Sequence, residues 1–402
     1  SRLIGDITVR KMNKDQIRKN YQAGKYRGGT STATTTTGKV SKMLGGRLKL
    51  ARAKAGLSLR DLAARMEPPV SAQALSKYEN DAMMPSSRVL LGLSRALSVP
   101  MDFLMGAQVA SLSGVEFRKG AGTSAADRAR VEATVIERLE NYLAIEEIVE
   151  IDGGEPDLAG VGGARIEAIE QIDALAAEVR AKWNLGDDAI PSVTQLLEDR
   201  GVRVIEAPLS AKVSGMTCSV ERNDGPPAVA AIVVSTDINL ERRRFTLAHE
   251  LAHRLIPSVG EIDLTLERAM DRFAGAFLVP EAHLRREVGD RRGQVAYHEI
   301  VRLKHMYGVS ASMLLMRLQQ AHILEKGTVE YAFRTYARGW RWAEPDELPR
   351  DGDLAEMEKP ARFESLVYRA LAEGMISSIR AAKMLGVSLQ AVEHGLRGPV
   401  AA

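Results

Sequence analysis

The chain has 402 residues, enough for two or three domains, because single domains usually hold about 100 to 200 residues. With 45% hydrophobic and 27% charged residues, no long apolar run and no signal peptide, the sequence predicts a globular cytoplasmic protein without a membrane partner. The single cysteine, Cys218, excludes an intrachain disulfide framework and a metal site built from several cysteines.

Basic charge is concentrated at the front of the chain. The net charge is +3, but residues 1 to 105 contain 19 Lys or Arg against 7 Asp or Glu. This asymmetry favours a polyanion as the partner of the front, with an ordinary solvated face as the alternative. Within the basic segment 1–42, the low-complexity stretch 28–38 predicts a flexible linker. The residues before it are either a nucleic-acid-binding arm or an artefact of the start site.

Residues 43–106 predict a small all-α domain. Ser58, Ser71 and Ser86 precede segments with helical periodicity and are expected N-caps, and Asp61 completes a capping box with Ser58. Five short helices with a tight pair inside are typical of a helix-turn-helix domain, whose third helix lies in the major groove of DNA. A helical protein-interaction domain of the same shape is the alternative. The predicted helices are Leu44–Ala55, Leu59–Met66, Ala72–Asn80, a fourth from Ser86 through Leu97, and a fifth within residues 99–106.

The same segment resembles the lambda-repressor-like XRE family. The resemblance is carried by the runs LSLRDLA at 57–63, LSKYEN at 75–80 and LSVPMDFL at 97–104. One departure is the turn over 67–70, which is longer than the glycine-centred turn usual in that family. The resemblance implies a double-stranded DNA operator as the partner.

The resemblance also assigns roles within the domain. Leu75 and Tyr78 are expected to hold the third helix to its core, and Gln73 to read a base, because its amide can pair with adenine at two points. The residues expected to contact DNA are Ser71, Ala72, Gln73, Ser76 and Lys77, with Lys49 and Arg60 as candidate phosphate contacts.

Residues 107–164 predict a helical connector. Apolar positions at helical spacing predict one long helix over 125–151, which would suit both a link between domains and the pairing of two chains. Shorter helices are expected over 165–183 and 192–200. Strands are expected over 202–206, 215–221 and 228–236, the last two joined by a hairpin turn at 223–226. Cys218 is interpreted as a half-buried strand residue rather than a catalytic one.

The segment 245–254 contains the pattern His-Glu-x-x-His. His249 and His253 are four residues apart, so on an α-helix they lie on one face and can direct two imidazole nitrogens at one metal ion. Glu250 falls beside them, where a carboxylate can take a proton from the attacking water and hand it to a leaving amine. The alternative, an ordinary surface helix, is disfavoured by the apolar residues around the motif and by the strand before it.

A zinc site of this kind needs a third protein ligand and keeps its fourth position for water. Glu267 opens a second helical run over 267–280 and is the predicted third ligand. Asp271 shares its face and is predicted to hydrogen-bond a ligating histidine. The apolar side of this run, which includes Met270 and Phe273, is expected to pack on the first helix.

The two runs together resemble the ImmA/IrrE family of zinc-dependent peptidases. The resemblance rests on FTLAHELAH at 245–253, Glu267 followed by Asp271, and FLVP at 277–280, with Met270 in place of the family's small residue. It implies zinc on His249, His253 and Glu267, with Glu250 as general base. In zinc peptidases with this two-histidine helix, an extended substrate commonly adds to the exposed edge of the neighbouring sheet.

The remaining residues give weaker signals. His298, His305 and His322 lie on a helical stretch and are interpreted as structural, with His298 or His305 as a less favoured stabiliser of an oxyanion. Residues 331–342 include Tyr331, Phe333, Tyr336, Trp340 and Trp342 and predict an aromatic-rich extended segment. Residues 361–396 are expected to be helical, and 376–388 resembles a second small helix-turn-helix that serves packing or dimerisation.

These elements predict a multi-domain, mainly α protein. An N-terminal all-α domain at 43–106 and a helical connector at 107–164 precede an α+β zincin-like domain at 165–325 with a small antiparallel or mixed sheet. A helical C-terminal region at 326–402 follows.

The predicted function joins the two resemblances. A dimeric DNA-binding transcription regulator is expected to cleave, with Zn²⁺, a repressor-type protein or itself in response to a signal such as stress. The alternatives are a transcription factor whose metal domain is a non-catalytic sensor or scaffold, and an antitoxin-like protein that binds a partner.

Overall fold

The computed structural model describes residues 34–105, 109–113, 125–151, 157–158, 160–209, 213–222, 229–340 and 342–398. Within these ranges the chain is mainly helical with one small mixed sheet, so the predicted fold class is confirmed. The basic segment through residue 33 and the hairpin turn at 223–226 lie outside the described residues.

The front of the chain forms five helices. Ser58, Ser71 and Ser86 each accept a hydrogen bond from a backbone N–H three residues on, and Asp61 closes the capping box, as predicted. The first helix begins at Thr34 rather than at Leu44, so the linker predicted through residue 38 overlaps this helix. The helices are α1 (Thr34–Lys54), α2 (Leu59–Arg65), α3 (Ala72–Glu79), α4 (Ser87–Leu97) and α5 (Met101–Met105).

The connector holds this front domain against the rest of the chain. It contains strand β1 (Val109–Ser113) and helix α6 (Ala125–Ile148). The Arg47 guanidinium donates to Glu140 on α6, and Lys54 pairs with Glu137 one turn earlier. The apolar side of α6 is buried in two cores of its own chain, through Val135, Ile136, Leu139, Leu143 in one and Tyr142, Ile145, Val149 in the other. That side is therefore not exposed for the predicted pairing of two chains.

A four-stranded sheet lies at the centre of the second domain, in the order β1-β3-β4-β2. Its later strands are β2 (Arg203–Ala207), β3 (Gly215–Arg222) and β4 (Val229–Ser235). β2 runs parallel to β4, whereas β3 is antiparallel to β4, as the hairpin signal predicted. The five residues Ala230–Val234 are all buried, as expected for a central strand with both faces covered. Strand β1 was not predicted.

Helices cover one face of the sheet, and one of these helices carries the His-Glu-x-x-His motif. Helices α9 and α10 share one continuous core with the sheet, and Met270, Phe273, Ala274 and Phe277 are fully buried there. The predicted packing of the second helical run on the first is therefore confirmed. The helices of this domain are α7 (Glu170–Lys182), α8 (Val193–Asp199), α9 (Leu240–Leu255), α10 (Leu266–Leu278), α11 (Glu281–Val288), α12 (Tyr297–Tyr307) and α13 (Ala311–Gln320).

The C-terminal region is helical, including the first residues of the segment predicted to be extended. Residues 326–334 form helix α14, because Val329 and Ala332, three residues apart, both point into the core. The helices of this region are α14 (Lys326–Arg334), α15 (Asp353–Met357), α16 (Arg362–Ala372), α17 (Ser378–Leu385) and α18 (Leu389–Arg397). The last three form a compact unit that packs on α6, with a tight turn at Gly386. Among the described residues, no helix is both long and apolar enough to cross a membrane.

Candidate metal centre

Helix α9 carries the two histidines. Its N-cap is Asn239, whose side chain accepts a hydrogen bond from the backbone N–H of Arg242 at 3.0 Å. The apolar positions around the motif, Leu247, Ala248, Leu251, Ala252 and Leu255, are all buried. His249 and His253 are each about one-fifth exposed, so their rings lie at the edge of the core and face a cleft.

Helix α10 brings two carboxylates to the same cleft. Its N-cap Thr265 accepts from the backbone N–H of Arg268, which places Glu267 in the first turn and Asp271 one turn later on the same face. Their side chains are 44% and 54% exposed, so both carboxylates reach the cleft from its open side.

The donor atoms have the spacing of a tetrahedral metal site. His249 Nε2 and His253 Nε2 are 3.2 Å apart, and Glu267 Oε2 lies 3.5 Å from the first and 4.0 Å from the second. Ligands about 2.0–2.1 Å from a tetrahedral Zn²⁺ are separated by about 3.3 Å. These three side chains therefore fit a zinc ion, and all three line the same cleft.

Glu250 lies beside this triangle. Its carboxylate and the two histidine nitrogens lie within 4.8 Å of one another, so Glu250 is itself close enough to be a ligand. We favour Glu267 as the third ligand, because its oxygen approaches both Nε2 atoms from a second helix, whereas Glu250 is the neighbour of His249 on the same helix. Glu250 is 7% exposed, which suits a carboxylate that handles a proton in a cleft.

Asp271 fixes the orientation of His249. Its Oδ1 lies 2.9 Å from His249 Nδ1, so the ring donates there and turns Nε2 towards the triangle. Burial by itself lowers the pKa of His249, but the hydrogen bond to Asp271 and the charges of Glu250, Asp271 and Glu267 outweigh it and raise the pKa above its ordinary value. The centre is therefore an environment that favours a cation.

The cleft over the triangle has a volume of about 810 Å³ and is lined on one side by strand β3. Gly215 lies where β3 crosses α9: a Cβ there would come within 2.4 Å of Thr246 and 3.5 Å of Glu250 Cγ. Glycine is required by this close approach. Arg242 and Arg254 also line the cleft, and no role was predicted for either of them. Arg254 could have been noticed, since it follows His253 directly.

Two buried ion pairs hold α9 in place from later parts of the chain. Glu241 accepts from Lys304 Nζ at 2.8 Å, and Arg244 pairs with Glu358. All four side chains are at most 1% exposed. Both anchors precede His249 by less than three turns, so the position of the motif depends on residues of α12 and of the C-terminal region.

The other predicted residues are outside the cleft. His305 is exposed and its Nε2 pairs with Asp346 Oδ2 at 2.9 Å, and neither His305 nor His298 lines the cleft. Their positions favour the structural interpretation of both histidines over the oxyanion role. Cys218 lies on β3, is 1% exposed, and burial raises its thiol pKa to about 12, so it is more deeply buried than predicted.

The proposed DNA-contacting residues of the front domain are all at least partly exposed. Leu75 and Tyr78 are buried, whereas Ser71, Gln73 and Lys77 are exposed on the other side of α3, with Ala72 and Ser76 partly exposed. Lys49 and Arg60 are exposed on α1 and α2. This arrangement is what a recognition helix requires.

Comparison with known families agrees with both resemblances. A helix-turn-helix family model matches residues 48–104, and the model of the IrrE N-terminal-like domain, Peptidase_M78, matches residues 197–319. The chain is therefore a fusion of an XRE-type helix-turn-helix domain with an IrrE/ImmA-like peptidase domain. No curated protein matches the chain.

Proposed function

We propose that this fusion of a DNA-binding domain with an IrrE-like peptidase domain is a transcription regulator that cleaves a regulator protein with the help of Zn²⁺. The substrate is a partner repressor or the chain itself, and cleavage responds to a signal. The observation that carries the proposal is the convergence of His249, His253 and Glu267 beside Glu250, in a cleft bordered by a strand.

The chemistry that follows is peptide hydrolysis. When bound, Zn²⁺ would lower the pKa of a water molecule and polarise the scissile carbonyl group. Glu250 accepts the proton of the attacking water and passes it to the leaving amine. Asp271 keeps the Nδ1 proton of His249 in place, so that Nε2 remains a ligand. The backbone of β3 aligns the peptide along the cleft.

The front domain supplies the DNA-binding half of the function. Helix-turn-helix proteins of this kind read operators as symmetric dimers whose two recognition helices enter successive major grooves. We therefore expect a homodimer on DNA, with Gln73 at a base and Lys77, Lys49 and Arg60 at phosphates. The cytoplasm, expected from the single cysteine, is consistent with both activities.

Metal content tests the centre. We expect about one zinc per chain by elemental analysis after zinc loading and gel filtration, and loss of that zinc in His249→Ala and in Glu267→Ala, because each removes one of three protein ligands. Asp271→Asn should keep the ion but bind it about 10–100-fold more weakly. Glu261→Ala, an exposed carboxylate before α10, is the matched control. A full zinc content in Glu267→Ala would contradict its assignment as a ligand.

DNA binding tests the front domain. Lys77→Ala should weaken binding to random duplex DNA and reduce the slope of log K against log salt by about 1, because one phosphate contact is lost. Fluorescence anisotropy across a salt series measures both. Arg95→Ala removes an exposed cation from α4 and is the control. Equal losses in the two variants would show that charge alone, and not α3, determines binding.

A further inference from the structure

Strand β3 and helix α9 form two walls of the cleft over the metal centre. Ser214, directly before β3, accepts a hydrogen bond from the Arg242 guanidinium of α9 at 3.2 Å. Gly215 then crosses the middle of α9 at close range. Burial raises the pKa of the Cys218 thiol, whereas the charge of Arg254 lowers it, so this guanidinium lies near Cys218. The two walls therefore run in the same direction, and an extended peptide between them passes one arginine at each end.

The charges that line the cleft fall into two groups. Among the described residues of the lining, seven are Arg, His, Asp or Glu, and five of these form the centre. The five are His249, Glu250, His253, Glu267 and Asp271. Their carboxylates already have roles at the metal, in proton transfer and at a histidine ring. The other two are Arg242 and Arg254, so the described lining outside the centre carries positive charge.

Arg242 differs from its neighbours on α9 in what it contacts. Arg243 and Arg244 each pair with a carboxylate. Arg242 is exposed and donates to the hydroxyl group of Ser214. This neutral acceptor orients the guanidinium towards the β3 side of the cleft but does not neutralise its charge. Positive charge along a cleft attracts ligands of the opposite charge and rejects those of the same charge.

We propose that Arg242 and Arg254 make the peptidase selective for substrates with acidic residues on both sides of the scissile bond. The proposal rests on the proposed function, and it names the substrate class of that same centre. Arginine suits this role because its planar guanidinium can donate two parallel hydrogen bonds to one carboxylate. The occupant of the cleft is therefore an acidic, extended segment of a protein.

The positions of the two arginines on α9 determine the spacing of the acidic residues. Arg242 lies nine residues before the midpoint between His249 and His253, and Arg254 lies three residues after it. At 1.5 Å per helical residue, these separations are about 13 Å and about 5 Å. An extended peptide rises about 3.3 Å per residue. Acidic residues are therefore expected about four residues from the scissile bond on one side and about one or two residues from it on the other.

The first test reads the sequence around each cut. Full-length, zinc-loaded chain digests a library of synthetic peptides of random sequence, and mass spectrometry identifies the cut bonds, with Glu250→Gln as the inactive control. We expect Asp and Glu to be enriched about threefold at one position on each side of the bond, as exposed ion pairs typically provide. Cuts without this enrichment would overturn the inference and leave the proposed function standing. The absence of any cut would overturn both.

Charge reversal assigns each acidic position to one arginine. In Arg242→Glu, the preference at the position farther from the bond should change from acidic to basic residues, a shift of about tenfold, while the nearer position stays acidic. Arg254→Gln should remove the preference at the nearer position only. Arg268→Glu reverses an exposed charge on α10 that does not line the cleft and is the matched control. Zinc content is measured first in every variant. An equal shift in the control would overturn the assignment to Arg242.

Peptide binding measures the same selectivity without cleavage. The inactive Glu250→Gln chain is titrated with two fluorescent peptides of one well-cut library sequence, which differ only by Asp or Asn at the two acidic positions. We expect the Asp peptide to bind about tenfold more tightly at low salt, since two exposed ion pairs contribute. This advantage should disappear near 1 M salt, where the Debye length is about 3 Å. Equal affinities of the two peptides at low salt would overturn the inference.

Discussion

Glu250→Gln should abolish peptide cleavage while leaving zinc and DNA bound. Glutamine keeps the volume of the glutamate in its buried place but cannot accept the proton of the attacking water, and loss of a general base typically costs about 10²–10⁴ in rate. The ligands His249, His253 and Glu267 are unchanged, so the zinc content should remain that of the native chain. Casein cleavage, elemental analysis and anisotropy on DNA measure the three properties on one preparation.

The Glu250→Gln variant distinguishes a regulator that acts by peptide cleavage from one whose metal domain is only a sensor or scaffold. If the peptidase regulates by cutting, regulation is lost together with cleavage. If the metal domain is only a sensor or scaffold, regulation of the operator persists in Glu250→Gln. The control is Glu261→Gln, the same chemical change at an exposed carboxylate that does not line the cleft. Undiminished cleavage by Glu250→Gln would mean that another group is the base.

The centre was predictable because its signals are local. The spacing of His249 and His253 sets their common face on any α-helix, and the spacing of Glu267 and Asp271 does the same one helix later. The distance between the two helices could be learned only from the three-dimensional structure. It is set by packing, in which Phe273 is buried against α9. The serine caps of the front domain are local in the same sense, since each serine bonds three residues along the chain.

The features that could not be predicted from the sequence depend on contacts between residues far apart in the chain. Strand β1 is five residues long, and its pairing with β3 joins positions more than 100 apart, which leaves no periodic signal in the sequence. The aromatic-rich segment 331–342 was predicted to be extended, but its first residues belong to a helix, in which Val329 and Ala332 have helical spacing. His305 was considered for the centre because of its residue type, and its partner Asp346 lies outside the cleft.

The metal centre also depends on contacts with the C-terminal region, and no sequence motif predicts these contacts. Glu358 lies 108 positions beyond Glu250 in numbering, yet it pairs with Arg244 of the motif helix. Its carboxylate also accepts from the backbone N–H groups of Val193 and Thr194 at 2.8 and 3.1 Å, at the start of α8. One buried side chain therefore joins α8, α9 and the C-terminal region.

Glu358→Ala should cause the largest loss of stability among single substitutions at this joint. Removing the carboxylate leaves the guanidinium of Arg244, 1% exposed, without its counter-charge, and such a loss typically costs about 3–5 kcal/mol. The two N–H groups at the start of α8 lose their acceptor as well. Urea unfolding followed by circular dichroism measures the change in the free energy of unfolding. We also expect weaker zinc binding, because α9 loses an anchor.

Glu356→Ala is the matched control, since Glu356 is two residues away and exposed, with only a surface pair to Lys359. It should change the free energy of unfolding by less than about 0.5 kcal/mol.

A double variant shows whether the unpaired charge of Arg244 or the lost hydrogen-bond acceptor at the start of α8 causes the loss of stability. Arg244→Met with Glu358→Leu removes both charges and keeps apolar volume, so it should be more stable than Glu358→Ala, because no unpaired charge remains buried. If the double variant were as unstable as Glu358→Ala, the lost acceptor at α8 rather than the stranded guanidinium would account for the effect. If Glu358→Ala unfolded like the native chain, the ion pair would not anchor α9, and its zinc affinity should then also be unchanged.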